Sequence, residues 1–220
     1  MEKPFILHML TTAKNLSPFD VNMALDAGWV SALPYINVEA SEVQGLVQDA
    51  IFSRSAKNLK RTGIFIGGRD TKQAMDMLKT ARRSMVPPFE VSVFADPSGA
   101  FTTAAALVAC VELALSKHHG KELKDCRVLV FGGTGPVGIA TGIIASLAGA
   151  DTALVDHLLL DSAMDVAKAF NRRFGCTLKG ECARTEEDKA SLIAEIDIIF
   201  CAAKAGVQVL SSEVLKAARN

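Results

Sequence analysis

The chain has 220 residues, half of them apolar and 22% charged, which is enough for one large or two small hydrophobic cores and too apolar for disorder. Lys and Arg (24) balance Asp and Glu (24) and only 6% of residues are aromatic, so composition gives no footprint for nucleic acid and no base-stacking platform. The five cysteines (110, 126, 176, 182 and 201) are an odd number without a CxxC pair, which argues against a disulfide framework or a metal site and fits a reducing compartment.

The N-terminal stretch carries neither the apolar core nor the cleavage site of a signal peptide, and no uninterrupted run of about 18 apolar residues follows. The expectation is a cytoplasmic protein with no membrane partner. FILHML (5–10) reads as a strand, and Ser17-Pro18 opens a helix to about Ala27. A weak strand near 33–38 precedes a helix from Ser41 to Phe52, and TGIFIGG (62–68) is a strand stopped by two glycines. A helix over 70–85, a strand over 89–95 and a long Ala-rich helix over 100–117 complete four strand–helix pairs, the pattern of a parallel sheet with crossover helices. The polar stretch at His118-His119-Gly120-Lys121 divides the chain into domains 1–118 and 119–220. The rhythm then restarts, with strands over 126–133, 152–156, 176–182 and 197–202 and helices over 136–148, 161–174, 185–194 and 212–218. The fold class is α/β: an N-terminal parallel α/β domain followed by a Rossmann-type dinucleotide-binding domain.

The most specific local signal is VLVFGGTGPVG (128–138). Apolar Val128–Phe131 form a strand, and Gly133-Thr134-Gly135-Pro136-Val137-Gly138 matches G-x-G-x-x-G as an apolar helix begins. In that pattern the first glycine serves the tight turn, the second lets a pyrophosphate approach the backbone, and the third lets helix and strand pack closely. The helix N-terminus adds unpaired N–H groups for the phosphates. Asp156, 18 residues after Gly138, ends the next strand. A carboxylate there can accept the ribose hydroxyls and repels a 2′-phosphate, so it favours NAD over NADP; the alternative role is a loop acid or helix cap. His157 beside Asp156 reads first as a surface loop histidine, with hydrogen bonding or stacking near the adenine as the functional alternative. Ala202 and Ala203 end the last strand in small residues that let a cofactor pass, and Cys201 reads as a buried small hydrophobe rather than a nucleophile.

The front half has no Ser-His-Asp set, no HExxH and no metal-spaced cluster. Its polar loops follow the strands: Thr11–Asp20, Gly67-Gly68-Arg69-Asp70 and Asp96–Thr103, where a parallel sheet places its binding crevice. Asp96 and Thr102 can also be helix caps, and Asp20 a first-turn acid favoured by the helix dipole. His8, in an apolar strand, reads first as a satisfied core histidine.

ILHML (6–10), SPFDVNMALDAG (17–28), QDAIFSR (48–54), RTGIFIGG (61–68), VPPFEVSVFADPSGAFTTAAALV (86–108) and VFGGTGPVG (130–138), in that order, resemble the NAD(P)-dependent methylene-tetrahydromethanopterin dehydrogenases of one-carbon-metabolising bacteria. The resemblance covers nearly the whole chain. It implies a pterin-binding front domain, a Rossmann domain, oxidation of the methylene to the methenyl pterin within formaldehyde oxidation, and a homo-oligomer. Related enzymes accept methylene-tetrahydrofolate, and a non-catalytic dinucleotide-binding module is the reading from a different class. Family members continue past the last helix seen here, so the second domain is expected to be C-terminally incomplete. NADP-using relatives look to carry a small or basic residue at the place of Asp156.

The implied chemistry needs no general base. The methylene carbon lies between two nitrogens whose lone pairs expel hydride, so the protein's tasks are positioning and exclusion of water. Asp20 and Asp96 are the candidate carboxylates beside the developing cation. Thr102, Thr103 and His8 are expected to line the pterin pocket, with Arg69 facing acidic groups of the pterin tail.

Overall fold

A computed structural model describes residues 3–218, in two compact units, the first running through Gly99 and the second starting at Ala100.

In the first unit β1 (Ile6–Leu10), α1 (Pro18–Asp26), β2 (Ser31–Tyr35), α2 (Val43–Phe52), β3 (Thr62–Ile66), α3 (Thr71–Arg83) and β4 (Ser92–Ala95) alternate, and the strands pair in the order β2-β1-β3-β4, all parallel. Leu7 and Met9 of β1 pack with Ala24 of α1, and Leu16, Val21, Trp29 and Phe65 close over them. The strand period of two turns His8 to the opposite face. Leu10 pairs with both Tyr35 and Ile66, and Ile66 pairs with Ala95, so the carboxyl ends of the strands are level. The ladder continues one step beyond them, through Thr11 N–H to Tyr35 O (2.9 Å), Gly67 N–H to Leu10 O (2.9 Å) and Asp96 N–H to Ile66 O (3.0 Å). Thr11, Gly67 and Asp96 thereby stand at one edge, at the point where strand order reverses around β1.

The second unit begins with α4 (Ala100–His119) and continues with β5 (Arg127–Phe131), α5 (Pro136–Leu147), β6 (Asp151–Asp156), α6 (Leu160–Phe174), β7 (Lys179–Cys182), α7 (Glu186–Ile193), β8 (Ile198–Cys201) and α8 (Ser212–Leu215). Its strands pair in parallel in the order β7-β6-β5-β8. β5 is apolar on both faces because both are covered. Val128 and Val130 join Val108, Ile139, Ile143 and Phe170 on one side, while Leu129 and Phe131 join Ile193 and Val214 on the other.

Several boundaries differ from the sequence reading for physical reasons. The compact units meet at Gly99/Ala100 rather than at 118/119, because α4 packs on α5 through a stripe that includes Ala104, Val108 and Leu115. The His118-His119 pair is the last turn of α4, and Gly120 in the left-handed region (φ 60°) follows it. β4 starts at Ser92 because Phe89 closes a tight turn onto Val86 (N–H to O, 2.6 Å). β7 starts at Lys179 because the side chain of Asn171 takes both the N–H (2.7 Å) and the carbonyl (2.8 Å) of Leu178. The last helix is a single turn. The segment 97–119 is long and apolar enough by composition to cross a bilayer, although Thr102, Thr103 and Glu112 break its apolar run.

Leu154, fully buried in the middle of β6, lies against the space left by Gly142 of α5. Leu154→Ala leaves a cavity there and is expected to cost about 2–5 kcal/mol in urea denaturation with no change in strand content by circular dichroism.

Candidate functional site

The turn after β5 is built from glycine for steric reasons. Gly132 sits in the left-handed region (φ 71°), and a Cβ on it would lie 2.8 Å from the Ala202 carbonyl carbon and the Ala203 nitrogen. Its carbonyl accepts from Gly135 N–H (3.1 Å). A Cβ on Gly138 would strike the Gly132 carbonyl and approach Gly133 Cα to 2.9 Å, so α5 can rest on the turn only without a side chain there. The sequence motif assigns the tight turn to Gly133. In the structure that duty belongs to Gly132, the preceding residue of the double glycine, while Gly133 is held bare by the Leu154 backbone and Cβ (2.8 Å).

Gly135 is the N-cap of α5 and Pro136 its first residue. The first helical bond runs from Ile139 N–H to Gly135 O (2.9 Å), which leaves the N–H groups of Val137 and Gly138 without helical acceptors. Two outward N–H groups and the helix dipole make a seat for phosphate oxygens. Ala202 and Ala203 follow β8 across the reversal of strand order and form its far wall. Cys201, beside them, is exposed rather than buried.

Asp156 closes β6 with only 8% of its surface exposed. Its Oδ1 accepts from Leu158 N–H (2.8 Å) and Leu159 N–H (3.0 Å), and its Oδ2 from the Thr134 hydroxyl (2.9 Å). Burial opposes its ionisation, but the Leu159 and Leu158 N–H groups, the Thr134 hydroxyl and nearby His157 outweigh it and hold the carboxyl below the ordinary Asp range. Asp156 therefore caps its own loop and ties that loop to the glycine turn. The link through Thr134 is not legible in the sequence, because nothing in the glycine motif says which carboxylate its one hydroxyl meets. His157 is largely solvent-exposed, its Nδ1 4.0 Å from the Asp156 carboxylate.

At the edge of the first sheet the situation is reversed. Asp20, on the first turn of α1, is 9% exposed, and its Oδ2 has no hydrogen-bond partner among the described residues. Burial, and then repulsion by the neighbouring Asp96 carboxylate, push its carboxyl above the ordinary Asp range. Gly67 leaves room beside it, since a Cβ there would stand 3.2 Å from Asp20 Oδ2. Asp96 is itself buried, and two residues later Ser98 adopts left-handed geometry (φ 57°, ψ 28°), which costs a non-glycine residue about 1 kcal/mol. The Ser98 hydroxyl donates to Gly68 O (3.0 Å), fixing the loop after β4 to the loop after β3. A concavity of about 420 Å³ opens beside α1, lined by Lys14, Asn15, Leu16, Val21, Asn22 and Pro34.

The structure thus brings Asp20 and Asp96 together. Arg69 is exposed on the loop that follows Gly68. His8 is not gathered with them: on the opposite face of β1, its Nδ1 lies 3.0 Å from the Tyr35 hydroxyl, and burial, then Arg54, hold its imidazole below the ordinary range. Thr102 and Thr103 are exposed on the first turn of α4, within the second unit. Among the described residues no group of three or more His, Cys, Asp or Glu side chains is placed to hold a metal.

Residues 18–98 match the family model described as methylene-tetrahydromethanopterin dehydrogenase, N-terminal. The chain is 44% identical, over 97% of its length and 72% of the relative's, to the NAD(P)-dependent methylenetetrahydromethanopterin dehydrogenase of Methylorubrum extorquens. It belongs to the methylene-tetrahydromethanopterin dehydrogenase family. The bifunctional protein MdtA of the same organism is 30% identical over 93% of the chain and 69% of its own length. Among solved structures, aspartate transcarbamoylase from Trypanosoma cruzi aligns over 99% of the chain and 69% of its own at a TM-score of 0.49 and 14% identity.

Asp156 gains stability from charge that must be present to count. With its folded pKa below the ordinary value, that contribution is complete above the ordinary Asp range and is lost as pH falls through the folded pKa. Asp156→Ala is expected to cost about 1–3 kcal/mol at neutral pH, and the gap to the unsubstituted protein should close in strong acid in a series of denaturation curves.

Proposed function

We propose that the protein transfers hydride from the methylene group of methylene-tetrahydromethanopterin to NAD(P), giving the methenyl pterin, with the nucleotide at the glycine turn and the pterin at the carboxyl edge of the first sheet. The observation that supports the reading is a contrast between the units, each taken by itself: a glycine turn with free helix N–H groups and a satisfied acid in one, and a buried acid with an unused oxygen in the other. Membership of the family supplies the substrate class.

When bound, the nicotinamide ring supplies the hydride acceptor. The residues of this chain do the rest. Val137 and Gly138 N–H groups hold the diphosphate, Gly132 and the Ala202–Ala203 backbone admit it closely, and Asp156 faces the adenosine ribose, favouring NAD. His157 flanks the adenine. Asp20, with Asp96 beside it, sets a negative field where the substrate becomes a cation. Because Oδ2 of Asp20 has no competing donor, that field is not spent within the protein. Arg69, Thr102 and Thr103 bind polar groups of the substrate, and Lys14, Asn15 and Asn22 offer a further polar rim. His8 serves this site only indirectly, by fixing Tyr35 at the end of β2. The protein is cytoplasmic in this reading and works as a homo-oligomer.

Purified protein mixed with methylene-tetrahydromethanopterin and NAD or NADP should form reduced nicotinamide, followed by its near-ultraviolet absorbance. Methylene-tetrahydrofolate in a parallel assay tells the two pterins apart, and no product with either pterin despite nucleotide binding would leave only a binding module. Asp20→Ala should lower kcat by about 100-fold while nucleotide affinity stays unchanged. An unaltered kcat removes Asp20 from the site.

The elevated Asp20 carboxyl gives two pH signatures. Turnover should fall on acidification through its raised pKa, since only the ionised form provides the field. Stability runs the other way: a carboxyl raised in the folded state costs stability as pH climbs from the ordinary Asp value through the folded one. Asp20→Asn should therefore melt higher than the unsubstituted protein at neutral pH, and that advantage should vanish below the ordinary Asp range.

A further inference from the structure

The loop that follows β7 reaches the nucleotide side of the second sheet, and its first exposed residue is a cation. β7 pairs with β6 so that Cys182 stands opposite Asp156, and Ala183 N–H extends the ladder to Asp156 O (3.0 Å). Arg184 comes next. Its Nε donates to Leu158 O (2.8 Å), the carbonyl of the turn that the Asp156 carboxylate caps. Its backbone N–H donates to Asp188 Oδ2 (2.9 Å), which also takes Thr185 N–H (3.0 Å) at the start of α7. Arg184 is thus held by its backbone N–H at one end and by its Nε at the other, and its two terminal amino groups donate to no described residue.

The acids around it are already committed. Asp156 already accepts from Leu158, Leu159 and Thr134. Asp188 caps α7, and Glu186 is held by Lys189 (2.6 Å) and the Ser211 hydroxyl (2.6 Å). The charge of Asp188 acts on it through space; a guanidinium fixed by its Nε and offering paired N–H groups to solvent matches a phosphate monoester. If a dinucleotide lies on the glycine turn with its ribose toward Asp156, the group projecting past that acid toward Arg184 is the substituent on the ribose 2′-oxygen.

We propose that Arg184 is the subsite for the 2′-phosphate of NADP, so that the chain takes NADP despite the acid at position 156. The proposal rests on the dinucleotide reading above. It also explains why Asp156 need not veto the phosphate: its charge is shared among three donors before any ligand arrives, and a fixed cation lies just beyond it.

The test is titration calorimetry of the protein with NAD and NADP separately, for the unsubstituted chain, Arg184→Ala and Arg184→Lys. Arg184→Ala should weaken NADP by about ten-fold or more and leave NAD within about two-fold; Arg184→Lys should restore part of the loss. NADP affinity should also fall more steeply with added salt than NAD affinity, and that difference should shrink in Arg184→Ala. Equal weakening of both nucleotides, or no change in NADP, overturns the proposal and leaves Arg184 as a tie between two loops. Binding of NAD with none of NADP by the unsubstituted protein overturns it too while the nucleotide site stands. Binding of neither removes the dinucleotide reading itself, and the proposal with it.

Discussion

Everything in the second unit is arranged around one close approach of backbones at the carboxyl end of β5. Gly132 lies against the Ala202–Ala203 peptide, and α5 rests on Gly132 and Gly133 through Gly138. A methyl group at Gly132 or Gly138 would overlap main-chain atoms, which cannot swing aside as a side chain can. That contact decides where α5 starts, and the start of α5 decides which N–H groups are left over. The free N–H groups at the start of α5 are thus a by-product of packing: those of Val137 and Gly138 lack helical acceptors because the helix is entered through Gly135 and Pro136. Thr134 then carries the constraint outward to Asp156, so the turn and the loop after β6 form one hydrogen-bonded unit.

The two units hold buried carboxylates in opposite states. Asp156 has three donors and is more acidic than an ordinary aspartate; Asp20 has an unused oxygen and a second carboxylate nearby and is less acidic. The first arrangement stabilises the fold and the second opposes it. A neutral residue or a paired acid at position 20 would remove that cost, which is why a buried, unpartnered carboxylate at a strand-end crevice is the group the proposed site is built on. The left-handed Ser98 at the same edge is a second small cost in the same place.

The fold was legible in the sequence because each unit is an alternation of short β-branched runs with helices punctuated by glycine and proline, and that signal is local. The elements came out in order, and the glycine motif does lie between a strand and the helix it opens. What was not legible depends on contacts between distant residues. The place where the chain divides is set by which helix α4 packs on, and the polar stretch at 118–121 carries no information about that. The tight-turn residue is Gly132 rather than Gly133 because of where Ala202 lies, seventy residues away. His8 and Asp20 are both pocket candidates in the string, His8 reading first as a core histidine, and strand alternation and the hydroxyl of Tyr35 turn His8 away. Arg184 had no motif at all; only the pairing of β7 with β6 brings it beside the loop of Asp156.

Hydride transfer from a carbon flanked by two nitrogens asks little chemistry of a protein, since no proton is removed and no covalent bond to the enzyme is needed. What it asks for is position and field. A parallel sheet supplies position cheaply, because its strand ends are fixed by ladders that carry on past the last paired residue, as Thr11, Gly67 and Asp96 do here. Field comes from leaving a charge unanswered, and that is tolerable only where the surrounding core is strong enough to bear it. The first unit meets this condition with Leu7, Met9 and Ala24 packed directly behind the edge that carries Asp20. The apolar packing and the unpartnered acid go together in space: the core holds α1 in place, and α1 holds the Asp20 carboxyl buried beside Gly67.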